Sequence, residues 1–311
     1  MVGLRVQWEL DGLRFNDGVD ADGVQWVVES EVGWSGTTSP RTARTPRPGG
    51  HGSYRSPVYR GERIVELTCW AAATTWEARR RAEHRLAALC SEPGRLYPLL
   101  CTEEIGDLTA DVELDDVIDP IIKPGGYVLE FAIQIAAPDP RKYAPWISGE
   151  AELPDEPTGG LDATTAGGLD ATTAGGLDAG GVGPTGLVTI TNTGNAPSSP
   201  LVQFDAGTAD LVNPELADIV TGDVLRYGGT VPAGQSVWIN TSEHQSQHSG
   251  LVYPARSVLL GGAEGVDRGG LLALVGDWPV VAPLSETTWA FRATSGAISA
   301  RARIYLRPAQ W

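Results

Sequence analysis

Apolar and polar positions alternate along much of this chain, and the spacing turns helical in one clear place. Val6, Trp8 and Leu10 follow Leu4 at every second residue. Side chains leave a strand on alternate sides, so this is the mark of a half-buried strand. Asp11-Gly12 is a turn dipeptide, and Leu13–Phe15 is expected as the returning strand. Further strands are expected at Val24–Val32, 63–71, 96–102, 108–117 and 127–137. Over 75–90, Trp76, Ala82, Leu86 and Leu89 fall near helical spacing, with Arg79, Arg80, Arg81 and Arg85 largely on other faces. Thr74-Thr75-Trp76-Glu77 supplies a capping box to open that helix, and Ser91-Glu92-Pro93-Gly94 ends it. From residue 186 onward the pattern is all β. Short runs at 187–191, Leu201–Asp205, 223–227, Ser236–Asn240, 271–275, 288–293 and 300–306 are separated by turn residues, as in sandwiches.

Two stretches break the alternation. Residues 33–57 are rich in Gly, Pro, Ser, Thr and Arg, which excludes a helix or a central strand. A segment this long is usually functional or disordered. From Arg41 to Arg63 there are six arginines and one acid, Glu62, so a mobile cationic arm is expected. Residues 159–166 and 167–174 are two copies of GGLDATTA, and a third copy begins at Gly175. This marks 146–185 as a linker between a domain at 1–145 and another at 186–311. It reads either as a flexible spacer or as an extended arm. The even period would put Leu161, Leu169 and Leu177 on one side of a strand and Asp162, Asp170 and Asp178 on the other, each repeat spanning ~26 Å.

Composition narrows the function. Hydrophobic residues make up 41%, enough for real cores, and the net charge is −16. Residues 1–142 carry 16 basic and 22 acidic side chains, and 143–311 carry 7 and 17. Neither part has the positive field that stable nucleic-acid binding needs. Two lysines, Lys123 and Lys142, stand against 21 arginines. That bias reflects either a GC-rich coding sequence or interface use, since guanidinium dehydrates more easily than ammonium. Cys69, Cys90 and Cys101 cannot all pair and form no C-x-x-C. With no signal peptide expected, they read as small buried thiols in a reducing cytoplasm. No apolar run approaches the ~18 residues of a membrane span.

Candidate chemistry is sparse. His244 and His248 stand four apart, but in a polar stretch of the β region without the glutamate of a metalloprotease motif. His51 and His84 read as surface residues. Asp111, Glu113 and Asp115 alternate with aliphatics, which places them on one solvated strand face. There is no G-x-S-x-G, no P-loop and no strand-borne G-x-G-x-x-G. No catalytic residue, metal or cofactor is expected, so the chain reads as a non-enzyme. Ten tryptophans are many for this length. Trp34, beside the cationic stretch, and Trp146, beside the linker, are interface candidates together with Arg41, Arg44, Arg47, Arg55 and Arg60. A sugar-binding alternative would use Trp238 as a platform with His244 or His248.

The order of these pieces resembles the distal tail proteins of siphophages. The N-terminal part matches in a hairpin start, a long arm, Arg60-Gly61-Glu62-Arg63-Ile64-Val65-Glu66-Leu67, one helix, and the strand from Phe131 that leaves through Asp139-Pro140-Arg141-Lys142-Tyr143. The C-terminal part is similar in Val188-Thr189-Ile190-Thr191-Asn192 before Pro200-Leu201-Val202-Gln203-Phe204, and in Val237-Trp238-Ile239-Asn240-Thr241, where Asn240 stands in place of the usual Asp. Its last strands, around Trp289-Ala290-Phe291-Arg292 and Ile304-Tyr305-Leu306-Arg307, match as well, without the usual Pro-Gly-x-Asn turn. The Gly-Leu-Asp repeats resemble those of actinobacteriophage minor tail proteins and imply an actinobacterial host.

The resemblance implies a mainly β fold: an α+β split-barrel domain with one helix, then an all-β galectin-like sandwich. It implies a homohexameric ring at the distal end of the virion tail, assembled in the host cytoplasm. Its partners would be the tail tube protein, the tail tip hub or baseplate, and the tape measure protein. The ring's channel would pass DNA, which acidic walls do not hold.

Overall fold

A computed structural model describes residues 6–42, 44–55, 58–154 and 186–311. The GGLDATTA repeats lie outside the described residues. The chain forms two compact units: Met1–Pro145 with Ala309–Trp311, and Trp146–Pro308.

The first unit contains β1 (Gln7–Leu10), β2 (Leu13–Phe15), β3 (Val24–Val32), β4 (Pro40–Arg41), β5 (Arg44–Pro46), β6 (Ser53–Arg55), β7 (Tyr59–Arg60) and β8 (Arg63–Ala73). The helix α1 (Trp76–Ala88) follows, then β9 (Tyr97–Glu103), β10 (Gly106–Leu114), β11 (Ile121–Ile122), β12 (Val128–Ala137) and β13 (Lys142–Tyr143). Its main sheet runs β2-β1-β9-β10-β12-β8-β3, all antiparallel. Period-two burial builds the core: Val65, Leu67 and Cys69 of β8 meet Leu129, Phe131 and Ile133 of β12 beneath Leu99 and Cys101 of β9. Asn16 stitches the two ends of the sheet together. Its backbone N–H donates to Trp26 O at 2.9 Å, and its Oδ1 accepts from Val28 N at 3.2 Å.

The helix shows a different face from the expected one. Thr75, rather than Thr74, is the N-cap and accepts from Ala78 N, while Thr74 Oγ1 donates to Gly23 O. Ala78, Arg79, Ala82 and Leu86 are buried, whereas Trp76 is 55% exposed with the Arg79 and Arg80 guanidiniums over its ring. Alanines allow close packing against the sheet, and Arg79 is tolerated inside because Glu83, one turn on, pairs with it.

The second unit contains β14 (Ile147–Glu152), β15 (Leu187–Asn192), β16 (Leu201–Asp205), β17 (Leu211–Val212), β18 (Glu215–Asp218), β19 (Val224–Tyr227), β20 (Thr230–Val231) and β21 (Ser236–Asn240). Next come β22 (Ser246–His248), β23 (Leu251–Tyr253), β24 (Val258–Leu260), β25 (Val266–Asp267), β26 (Leu272–Val275), β27 (Ser285–Arg292) and β28 (Arg301–Leu306). Two sheets, β14-β28-β16-β21-β24-β25 and β15-β27-β18-β19-β26, share one core containing Val202, Phe204, Ile239, Leu216, Phe291 and Ile304. The expected linker therefore begins later than residue 146. β14 pairs with β28 along its whole length, and Glu150 and Glu152 meet Arg301 and Arg303. The last strand, β29 (Ala309–Gln310), belongs to the first unit, where it pairs with β13.

Candidate interaction surfaces

The cationic stretch is a two-part β-hairpin. β4 pairs with β7 at its base, and β5 pairs with β6 toward its tip. The tip closes through Arg47 N to Gly52 O at 3.1 Å. Arg41, Arg47, Tyr54, Val58, Tyr59 and Arg60 are all exposed. Arg47 lies over Tyr54, and Arg60 over Trp311 at 4.4 Å. Among the described residues these strands supply nothing to the core cluster, and they form an arm that presents guanidiniums on aromatic rings.

The root of this arm is the opposite of its tip. Arg63, counted among the arm's cations, is buried at the first inward position of β8. Its Nη1 donates to the carbonyls of Gly33, Trp34 and Gly36 at 2.7–2.9 Å, and its Nε to Pro140 O at 2.9 Å. Lys142 Nζ, also buried, donates to Trp34 O at 3.2 Å and lies 5.3 Å from the Trp34 ring. Burial pushes both cations' pKa values down, with Arg60 lowering that of Arg63 further and Arg63 that of Lys142. Asp139 completes the clamp: its carboxylate accepts from Arg141 N and Nε and from the Tyr143 hydroxyl at 2.6 Å. The Asp-Pro-x-x-Tyr exit is thus a buttress for the arm's root. Gly33 is obligatory there, since its φ is +95° and a Cβ would stand 1.9 Å from Ile64 O.

Trp34 therefore moves from interface candidate to core residue. It is 1% exposed and makes an edge contact with Trp8 at 5.3 Å. Aromatic neighbours and carbonyl-bound cations seal it from any partner. The backbones of Arg44 and Arg55 lie in the tip ladder.

In the second unit the hairpin of β22 and β23 lies over the outer face of the six-stranded sheet. Asn240 holds it: Nδ2 is 2.8–3.1 Å from the carbonyl oxygens of His244, Tyr253 and Pro254, and Oδ1 accepts from Ser242 N and Ser246 Oγ. An aspartate could not donate to three carbonyls, which explains the asparagine here. The hairpin brings His248 and Tyr253 onto Trp238 and Tyr305. Trp238 stacks near-parallel with Tyr253 at 5.1 Å and Tyr305 at 5.5 Å, and His248 packs on Tyr305 at 4.3 Å and Trp146 at 5.0 Å. Trp146 Nε1 donates to Gln247 O. His248 and Trp238 do come together, but in a packed cluster whose stacks use the ring surface a sugar platform would need. Trp146, half-buried, belongs to the same cluster.

The three thiols are buried. Burial, aided by nearby carboxylates, pushes Cys90 and Cys101 up to about 12, and burial raises Cys69 further. Held as protonated thiols near neutrality, they sit as core residues. Among the described residues no group of His, Cys, Asp and Glu is arranged to hold a metal, and no helix is long and apolar enough to cross a membrane.

A curved antiparallel sheet with one helix and a rooted arm, joined in one chain to a two-sheet sandwich, defines a mainly β, two-unit structural class. In fold the chain is similar to phage SPP1 Dit (gp 19.1), described as a paradigm of the hub adsorption apparatus in phages infecting Gram-positive bacteria, with which it aligns at a TM-score of 0.61 and 14% identity, covering 98% of both chains. Chains of the phage P2 baseplate in its activated conformation align more loosely. The calcium form gives a TM-score of 0.45 at 11% identity over 97% of this chain and 98% of that one, and the strontium form 0.42 at 11% over 96% and 97%. No protein-family model and no curated protein matches the sequence.

Proposed function

We propose that this protein is a non-enzymatic subunit of a long-tailed phage's distal tail. Identical copies close into a ring that joins the tail tube to the baseplate or tip hub. The observation that carries this reading is the agreement with the SPP1 Dit fold, at a TM-score of 0.61 over 98% of both chains. The arm supplies a physical means of assembly. A ring needs a heterologous interface that closes on itself, and an exposed arm of arginines and tyrosines on a rigid root is built to reach a neighbour: interface anchors are enriched in those residues. The neighbour is the next copy or the tube protein.

The test is the mass of the purified protein in solution, with and without the arm's tip. The full chain should form particles of six times 32.8 kDa. A variant with residues 44–55 replaced by a two-glycine turn should remain folded and monomeric. A monomeric full chain, or a ring unaffected by the deletion, would sink the proposal.

A further inference from the structure

The second unit has a charged cavity that the tail role does not use. On the outer face of the five-stranded sheet, the strand register aligns Arg292 of β27 with Glu215 of β18, Glu215 with Arg226 of β19, and Arg226 with Ala273 of β26. Directly opposed residues share a face. That face is turned away from the core, which takes Leu216, Leu225 and Phe291. The row reads cation, anion, cation, methyl. Small residues at Ala273, Gly228 and Ala293 leave the sheet indented between longer polar neighbours, giving an open cavity of about 570 Å³. This falls within the size range of small-molecule sites, roughly 300–1,000 Å³.

Its groups are not equivalent. Glu215 has only 13% of its side chain exposed, and it accepts both Arg226 contacts, at 2.7 and 2.5 Å, on Oε2. Both contacts fall on one oxygen of a residue that lines the cavity, which leaves Oε1 as an acceptor. Arg292 is exposed, and among the described residues its guanidinium has no hydrogen-bond or ion-pair partner. Asn213 Nδ2 donates to Thr294 Oγ1 at 3.2 Å across the rim, which leaves the Asn213 carbonyl and the Thr294 hydroxyl proton for a ligand.

This mixture selects a chemistry. A polyphosphate or nucleic acid would meet Glu215 and the surplus of acids in residues 143–311. An apolar ligand would find no aromatic wall. A polyol, whose hydroxyls each donate and accept, fits fixed donors and acceptors side by side, and the unpartnered guanidinium favours a ligand bearing a carboxylate, which it can grip bidentately. We propose that this cavity binds an acidic saccharide, with Arg292 on the carboxylate and Glu215, Asn213 and Thr294 on hydroxyls. The site belongs to one protomer and does not depend on ring formation.

The test is calorimetric titration of the full-length protein with trigalacturonate, a hyaluronan tetrasaccharide and sialyllactose, using maltotriose and inorganic phosphate as comparisons. Saturable binding of at least one acidic sugar is expected, roughly tenfold tighter than maltotriose or phosphate. Arg292→Gln and Glu215→Gln should each weaken it about tenfold, and Ala273→Trp, which fills the indentation and removes no charge, should abolish it. Arg292 and Ala273 are exposed, so those two variants carry the test if Glu215→Gln does not fold. No saturable binding of any acidic sugar overturns the proposal, as does binding unchanged by Ala273→Trp. Phosphate binding as tightly, with Glu215→Gln tightening it, would show a simple anion site instead.

Discussion

Each unit carries one conspicuous hairpin, and the two are held in opposite ways. The hairpin of β22 and β23 is pinned along its length, by Asn240 at its base and by its own His248 and Tyr253 rings packed on Trp238 and Tyr305. The arm of β4 to β7 is fixed at its root, where Arg63 and Lys142 converge on the Trp34 carbonyl, and among the described residues its exposed tip supplies nothing to the core. A pinned hairpin contributes stability and covers a face. A rooted but unpinned one costs stability to keep and offers a surface, so the arm is where a partner is expected. Polar exposed strands of this kind are marginal alone and gain order when another chain covers them.

The largest effect should follow from removing the root. Arg63→Ala deletes one buried cation and takes the donor from the carbonyls of Gly33, Gly36 and Pro140, leaving Trp34 O to Lys142 alone, a loss of about 3–5 kcal/mol on the scale of a broken buried charge network. Denaturant unfolding should show it in the first unit alone. Arg63→Lys should recover only part, because an ammonium cannot span the carbonyls of both 33–36 and 140. A loss below about 1 kcal/mol would show the root to be dispensable.

Next is the pin. Asn240→Asp sets a carboxylate against three carbonyl oxygens, costing about 2–4 kcal/mol. Hydrogen exchange should speed up across 242–256 and leave the arm's rates unchanged. Equal acceleration in both hairpins would erase the distinction drawn between them.

Parts of this were legible in the sequence and parts were not, for identifiable reasons. Val24–Val32 and Ser236–Asn240 read correctly because one buried face imposes period two, and Leu201–Asp205, buried on both faces, because it is a short run bounded by turn residues. β14 was hidden inside a stretch read as linker because its six residues mix one buried alanine with charges that pair across β28. Arg63 was legible in principle: it lies in register with Val65, Leu67 and Cys69, so the same alternation that defines the strand points it inward. Residue type overrode position there, as it did for Trp34. The pinning role of Asn240 was not legible, because nothing local announces that a distant hairpin will supply its carbonyl partners. The cavity at Arg292 depends on register across four strands, which no single segment contains.

Acid should separate the hairpins more gently. Burial among rings holds His248 below the usual histidine range, and its Nδ1 has no hydrogen-bond partner. A depressed histidine is neutral in the fold while the unfolded chain takes up a proton. Its contribution is therefore present above the unfolded value, near 6.5, and is lost as pH falls toward the folded one. Exchange protection of residues 246–253 should drop between pH 7.5 and 5 by more than the arm's does. A His248→Phe variant should lose that pH dependence. An NMR titration giving His248 a pKa at or above the usual value would reverse the sign.

The smallest effect on stability should come from the arm's exposed arginines, and it is the most informative. Arg41, Arg47 and Arg60 are exposed, and Arg47 and Arg60 lie over aromatic rings. Changing all three to alanine should shift stability by no more than about 0.5 kcal/mol per site. If the arm exists to hold a neighbour, the same triple variant should fail to assemble, and assembly of the unaltered chain should weaken steeply with salt, because guanidiniums meeting an acidic surface are screened. Light scattering across a salt series reads both. Comparable assembly by the variant and the parent at every salt concentration would mean that the tip's charges are only solvated. The function would then lie with the aromatic residues Tyr54 and Tyr59, which the same experiment on Tyr→Ser variants would reveal.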